Sequence, residues 1–447
     1  MRGFAFVWRQ YRARLLSGLA ASALLPLAPA GFAAEAESAA PVASAPAAEV
    51  RVLDLNTCRQ IALEKQPAVA AARATLGAAA ARAQAVDNLR VPACLVRDLP
   101  IRRKQAALGI VIAQAGVTRA EGDTVYGVTF SYFSAVYAGA QRQVARDAIA
   151  ALTDLDQRVR EAVEKGLSRD VTKDDVEKTG IRLLRARARL EETTQGEQRA
   201  LSALREAMGL GPDCVLVLAD GRLPDADPAV DLHAVVALAL ERRGELIQAV
   251  NAAQVTGYEV DAQAARLLSP SVRTFAANSD IHSQPVPAGM YEENYRPGAL
   301  APEMPAQISG SRSARVEQAQ AYSARAEAVA DKTRGLIALE AEQAYYRWQE
   351  AANRENRYRD AAGRAEKQAK AVRDRILGGF RAGSLDSALY FQQLSTEMRV
   401  EANQARYQKL LALAALERVT AGGFCAGFTP QPAPPEGNGR NNGNGSK

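Results

Sequence analysis

Proline placement constrains this chain more than any other feature. There is no proline from residue 101 to 211, and none from 306 to 429. Between those blocks Pro270, Pro285, Pro287, Pro297, Pro302 and Pro305 crowd one stretch. A proline in a helix interior costs about 3 kcal/mol, so the two empty blocks permit very long helices. Periodicity supports what the blocks permit. Val144, Ala148, Leu152, Leu155, Val159 and Val163 recur at three- and four-residue spacing and predict one buried stripe. Ile181, Leu184, Ala188, Gly196, Leu201 and Leu204 predict a weaker one, and Leu394, Met398, Tyr407, Leu411 and Ala415 a third. A helix over 313–377 would be about 100 Å long at roughly 1.5 Å per residue. Extended antiparallel coiled coils need such lengths and compact globular cores do not. Apolar residues are 48 % of the chain but aromatics only 6 %, which suits helices packed closely through alanine.

Each block has one interior glycine turn, Glu164-Lys165-Gly166-Leu167-Ser168-Arg169-Asp170 and Phe380-Arg381-Ala382-Gly383-Ser384-Leu385-Asp386. Glycine closing one helix, with Ser or Asp opening the next, predicts a helical hairpin with its tip at the glycine. A repeat ties the blocks together. Asp54-Leu55, Ile61 to Glu64 and Val69 match Asp231-Leu232, Leu238 to Glu241 and Leu246 at a constant offset. A tandem duplication explains the match.

The first residues read as an export signal. Arg2, Arg9, Arg12 and Arg14 precede the apolar run Leu15 to Ala30, and Gly31-Phe32-Ala33 offers small residues for cleavage. Without those four arginines the chain holds 52 basic residues against 50 acidic, so its +6 charge belongs mostly to the signal. Nucleic-acid binding loses its main support. The expected organisation is a signal at 1–33, a flexible lead-in at 34–50, repeats at 51–228 and 229–428, and a Gly/Asn-rich disordered tail at 429–447.

With this order of motifs the chain resembles the outer-membrane efflux protein family, of TolC-like channels. The residues that carry the resemblance are Leu53-Asp54-Leu55 with Ala62 to Pro67, the repeat at Val230 to Leu246, Gly310 to Ala319, Phe380 to Leu385, and Ala421-Gly422. It spans about 50–425. The resemblance implies a mainly α fold in which long helical hairpins build a coiled-coil α-barrel. It also implies a homotrimer, with a small β portion forming a barrel in outer-membrane lipid and the helices in the periplasm. The implied partners are a periplasmic adaptor, or membrane fusion protein, and an inner-membrane transporter, with transport passive. The rival is a periplasmic coiled-coil scaffold of the same ancestry that lacks a functional barrel.

The family places a β-hairpin in each repeat. In the second, residues 268–308 are the expected place. In the first, Asn88 to Gln105 is short and carries Arg97, Asp98, Arg102, Arg103 and Lys104. Charges on a lipid-facing strand cost about 2–4 kcal/mol each at the midplane, and a spanning strand needs roughly 9–11 residues. That first hairpin is therefore doubtful.

The tips are the expected adaptor contacts: Gly166, Leu167, Ser168, Arg169 and Asp170 in one hairpin, Gly383, Ser384, Leu385 and Asp386 in the other. Asp170, Asp174 and Asp175 are candidate pore-entrance acids, against the simpler reading that acids cap a helix N-terminus. Arg182, Arg185, Arg187 and Arg189 read as a solvated helix face rather than a phosphate site. Tyr132, Phe133, Tyr137, Tyr345, Tyr346 and Trp348 read as seam fillers. Cys58, Cys94, Cys214 and Cys425 are too scattered for zinc; if any disulfide forms, Cys214 with Cys425 is the first candidate pair, and free thiols are an equal expectation. His233 and His282 share no motif. No catalytic constellation, cofactor site or metal site is expected.

Overall fold

The computed structural model describes residues 51–90, 96–166, 171–267, 269–275, 304–376 and 384–428. Eight helices and four three-residue strands account for most of them. In chain order these are β1 (Arg51–Leu53), α1 (Leu55–Lys65), α2 (Pro67–Asp87), α3 (Leu99–Glu164), α4 (Lys173–Ala207), β2 (Leu216–Leu218), α5 (Leu232–Arg242), α6 (Gly244–Ala265), β3 (Ser271–Arg273), β4 (Gln307–Ser309), α7 (Arg312–Ile376) and α8 (Ser384–Val419). The proline-free blocks hold the two longest, α3 with 66 residues and α7 with 65. At 1.5 Å per residue each spans close to 100 Å.

The helices lie side by side in two tiers. In one tier the order of contacts is α2, α3, α6, α7; in the other it is α4, α3, α8, α7. So α3 and α7 run through both tiers, while α4 meets α2, and α8 meets α6, near the middle. Gln66 makes the first of these junctions. It is the N-cap residue of α2, and its Nε2 donates to Glu206 O and Ala207 O at the end of α4. At the second junction Arg243, just before α6, lies beside Arg418 and Ala421 at the end of α8, and its Nη2 pairs with Glu245 of α6 at 2.9 Å and Glu340 of α7 at 3.0 Å. Asp54 and Asp231, matched by the repeat, each cap an 11-residue helix, accepting from Thr57 N and Ala234 N at 3.0 and 2.8 Å.

Around the junctions sits the main apolar cluster, including Cys58, Val128, Tyr132, Phe133, Leu204, Met208, Leu410 and Leu413. β1 pairs in parallel with β2 beside it. Tyr132 and Phe133 are fully buried, the Tyr132 hydroxyl donating to Asp220 at 2.7 Å. Tyr137 stacks on Tyr407 at 4.6 Å. Tyr346 departs from the expectation of a seam filler: it is 55 % exposed on α7. The stripe Val144 to Val163 faces the neighbouring helices as expected. The α4 stripe is out of phase. Leu183 and Leu204 are buried against α3, whereas Ile181 and Leu184 are 58 % and 64 % exposed. The reason is that α4 is an edge helix, packed on α3 along its length and reaching α8 only near the tip. Cys58, Cys214 and Cys425 are free thiols, the alternative left open beside a Cys214–Cys425 pair; Cys94 lies outside the described residues.

A buried ion cluster ties α8 to α7. Glu355, 1 % exposed, faces Arg406 Nε at 2.8 Å and Lys409 Nζ at 3.0 Å. Burial pushes its carboxyl up, but the two cations together hold it below the ordinary range. A depressed native pKa stabilises the fold above the unfolded value of about 4.3, and that contribution disappears as pH falls through the native value. Acid titration followed by near-ultraviolet circular dichroism is expected to show packing lost below about pH 4. Glu355→Gln should flatten that acid limb; an unchanged limb would show that other carboxylates carry it.

Candidate functional site: the hairpin tips and the strand end

The tips are held together by one apolar cluster. Leu152, Leu155 and Val159 of α3 pack with Val171, Leu183 of α4, Val372 of α7, and Leu385, Ala388 and Leu389 of α8. Both hairpins thus end in a single packed unit. Gly166, φ +60°, closes α3 with open space where a Cβ would stand. Thr172 and Asp175 then form a capping box, the Asp175 carboxylate accepting from Thr172 N and Oγ1, both at 3.0 Å. Lys178 donates to the same carboxylate at 2.9 Å and also lies 4.0 Å from Asp386 on the other hairpin. The Lys178 hydrogen bond, with the Thr172 amide, holds the Asp175 carboxyl below its ordinary range. Arg182 adds a second tie between hairpins, donating to Leu389 O at 3.0 Å and Gln393 at 3.2 Å.

Of the residues picked from sequence, Asp175 is engaged in capping and in the Lys178 ion pair, while Asp174 is exposed in the first turn of α4. Leu385 is buried in the tip cluster and Asp386 is 74 % exposed. Leu167, Ser168, Arg169, Asp170 and Gly383 lie outside the described residues, as does the side chain of Ser384. Sequence reasoning missed Lys178 and Arg182 as links between hairpins. Nothing in their spacing announces a partner some two hundred residues away.

The opposite end carries two of the four strands. β3 pairs antiparallel with β4, Val272 opposite Ile308. Of the charges at 97–104, Arg102, Arg103 and Lys104 lie in the first turns of α3 and Arg97 and Asp98 in the turn before it, none of them in a strand. Arg102 is clamped between Glu259 of α6, with which it makes a bidentate pair, Asp98 and the Arg273 carbonyl. Glu259 is fully buried and also accepts from Gln105, Gln263 and the Phe275 amide at 3.1, 2.8 and 3.1 Å. Arg315, 1 % exposed at the start of α7, donates to Gln263 and to the carbonyls of Ser269, Gly310 and Arg266. The network thereby grips both feet of the β3–β4 ribbon. Only residues 88–98 separate α2 from α3, and no strand is present among the described ones.

Along α2 and α3 runs an open groove of about 880 Å³ with a floor of alanine and glycine. Arg82 covers the Phe275 ring at its end, 3.7 Å from the centroid. Among the described residues no group of three or more His, Cys, Asp or Glu side chains is placed to hold a metal ion. No described helix is long and apolar enough to cross a membrane.

This two-tiered hairpin fold has been seen before. The outer-membrane channel OprN superposes with a TM-score of 0.65 at 15 % identity, covering 83 % of this chain and 90 % of OprN. The outer membrane protein VceC of Vibrio cholerae gives 0.63 at 15 %, covering 83 % and 96 %. The channel MtrE of Neisseria gonorrhoeae, solved in its open state, gives 0.57 at 15 %, covering 83 % and 89 %. No family model and no curated protein matches the sequence. The chain has the fold of these outer-membrane channels, the fold that the sequence resemblance implies.

Proposed function

We propose that this protein is the exit duct of a tripartite efflux or type I secretion assembly, acting as a homotrimer and without catalysis. The observation that carries the reading is a layer of helices with two open edges, in a fold shared over more than four fifths of the chain with outer-membrane channels. One edge is α2 with α4, the other α7. Different edges on one chain join head to tail and close a ring when the rotation allows. Export by residues 1–33 would place the helices in the periplasm and the strand end in outer-membrane lipid. The tips at Gly166 and Gly383 would meet a periplasmic adaptor coupled to an inner-membrane transporter. Asp170, Asp174 and Asp175 would then lie near the pore entrance.

The 11-residue connection from α2 to α3 is what a second reading would rest on, though the likeness to outer-membrane channels does not favour it. A spanning strand takes roughly 9–11 residues, so two strands and a turn do not fit there. On that reading the chain is a periplasmic helical scaffold of the same ancestry without a spanning barrel. One experiment separates them: native mass after inner and outer membranes are parted and extracted in mild detergent. A trimer confined to the outer membrane supports the duct. Recovery as a soluble periplasmic monomer or dimer sinks it and leaves the scaffold.

A further inference from the structure

The second junction is built differently from the first. Arg243 stands at the same offset from Gln66 as Asp231 does from Asp54, so the repeat matches them. Each precedes a helix that has no side-chain cap. Gln66 spans its junction directly, its amide donating to the last carbonyls of α4. Arg243 does not repeat that bridge. Its Nε and Nη2 turn to Glu245, and Nη2 also reaches Glu340. Nη1 is enclosed with no acceptor, on a side chain only 5 % exposed. A buried, charged donor is costly to leave unpaired, so the site calls for an acceptor.

Arg243 lines a cavity of about 20 Å³, walled by α3, the first residues of α6 and the end of α8. That volume admits one water-sized body and no more. The charged walls are Arg119, Arg243 and Arg418 against Asp123 and Glu245. Arg418 is committed to Asp123 at 2.7 Å, and Arg119 lies 3.8 Å from Glu245, so these two supply field and not the ligating donor. Glu340 pairs with Arg243 without lining the cavity. Three cations against two acids leave the walls positive. The 22-residue helix α6 adds to this, because Gly244 lines the cavity where its N-terminal end opens.

We propose that this cavity binds a single monatomic anion, chloride, on Arg243 Nη1. A chloride ion is little larger than a water molecule, whereas sulfate, phosphate or a carboxylate needs several times the room. The bound ion fastens the start of α6 to the end of α8, the task Gln66 performs for α2 and α4. The site lies within one copy of the chain and does not depend on the ring.

Thermal unfolding of the full chain in sodium chloride and in sodium sulfate, at equal ionic strength, tests it. Salt exclusion alone favours sulfate. The expected result is the reverse, a higher midpoint in chloride that climbs with the logarithm of its concentration. Arg243→Gln copies the residue at the first junction and should abolish chloride's advantage. A merely structural loss would lower the midpoint in both salts alike and keep the difference between them. Crystals of the unaltered chain soaked in bromide give a second readout that needs no variant, with an anomalous peak expected beside Nη1. A midpoint higher in sulfate, an advantage of chloride that survives Arg243→Gln, or an ordered water without anomalous signal beside Nη1 would each overturn the anion site.

Discussion

Arg315→Ala is expected to detach the β3–β4 ribbon from the helices and to cost on the order of 4 kcal/mol. The side chain is fully enclosed and faces no carboxylate; its charge is met by the Gln263 amide and the carbonyls of Ser269, Gly310 and Arg266. Truncation leaves those acceptors buried without donors, and each such loss costs about 1–3 kcal/mol. It also frees Gln263, whose amide supports Glu259, so the Arg102 pair should weaken in turn. Hydrogen exchange would report this directly, with faster exchange in residues 266–275 and 304–315 and little change at the tips. Arg315→Lys keeps the charge, but one ammonium cannot reach four separated acceptors, so most of the loss should remain. Unchanged exchange and an unchanged denaturation midpoint in Arg315→Ala would contradict this account of the ribbon.

That network also marks where sequence reading ends. The long helices were legible because absence of proline and a repeating apolar stripe act locally, and Val144 to Val163 is buried on the face the spacing predicts. The capping at the first tip was only half legible: Asp175 was among the acids read as capping a helix N-terminus, but the N-cap residue is Thr172, which the sequence reading did not single out. Arg102 was not legible at all. On sequence alone its charge counts against a strand, and only the fold brings Glu259 across to meet it. Gln105, Gln263 and Arg315 are equally opaque, since a buried polar side chain on a helix leaves no periodic trace. The α4 stripe misled for a different reason. Ile181 follows helical spacing, yet spacing cannot say whether the second face of an edge helix meets its own chain or another.

Gly209→Ala is the other substitution with a large expected effect, and the chain contains its own controls. Gly209 ends α4 at φ +67°, where an added Cβ would stand 2.7 Å from Lys65 O and 2.9 Å from the Lys65 carbonyl carbon. Left-handed backbone alone costs an L-residue about 1–2 kcal/mol. The fold tolerates that cost elsewhere, because Ala421 sits at φ +47° in the turn that ends α8. What Gly209 avoids is the collision. The obstructing atoms are backbone, so relief requires moving the junction where Gln66 bridges α2 to the end of α4. A total loss of about 3 kcal/mol is expected, as strain and displaced packing add. Gly166→Ala isolates the first contribution: φ is +60° and nothing lies within 4 Å of the new Cβ, so about 1 kcal/mol should be lost. Urea midpoints of the two variants decide it. If they fall together, the Lys65 contact does not set the cost, and the two tiers are less tightly keyed at this junction than their geometry implies.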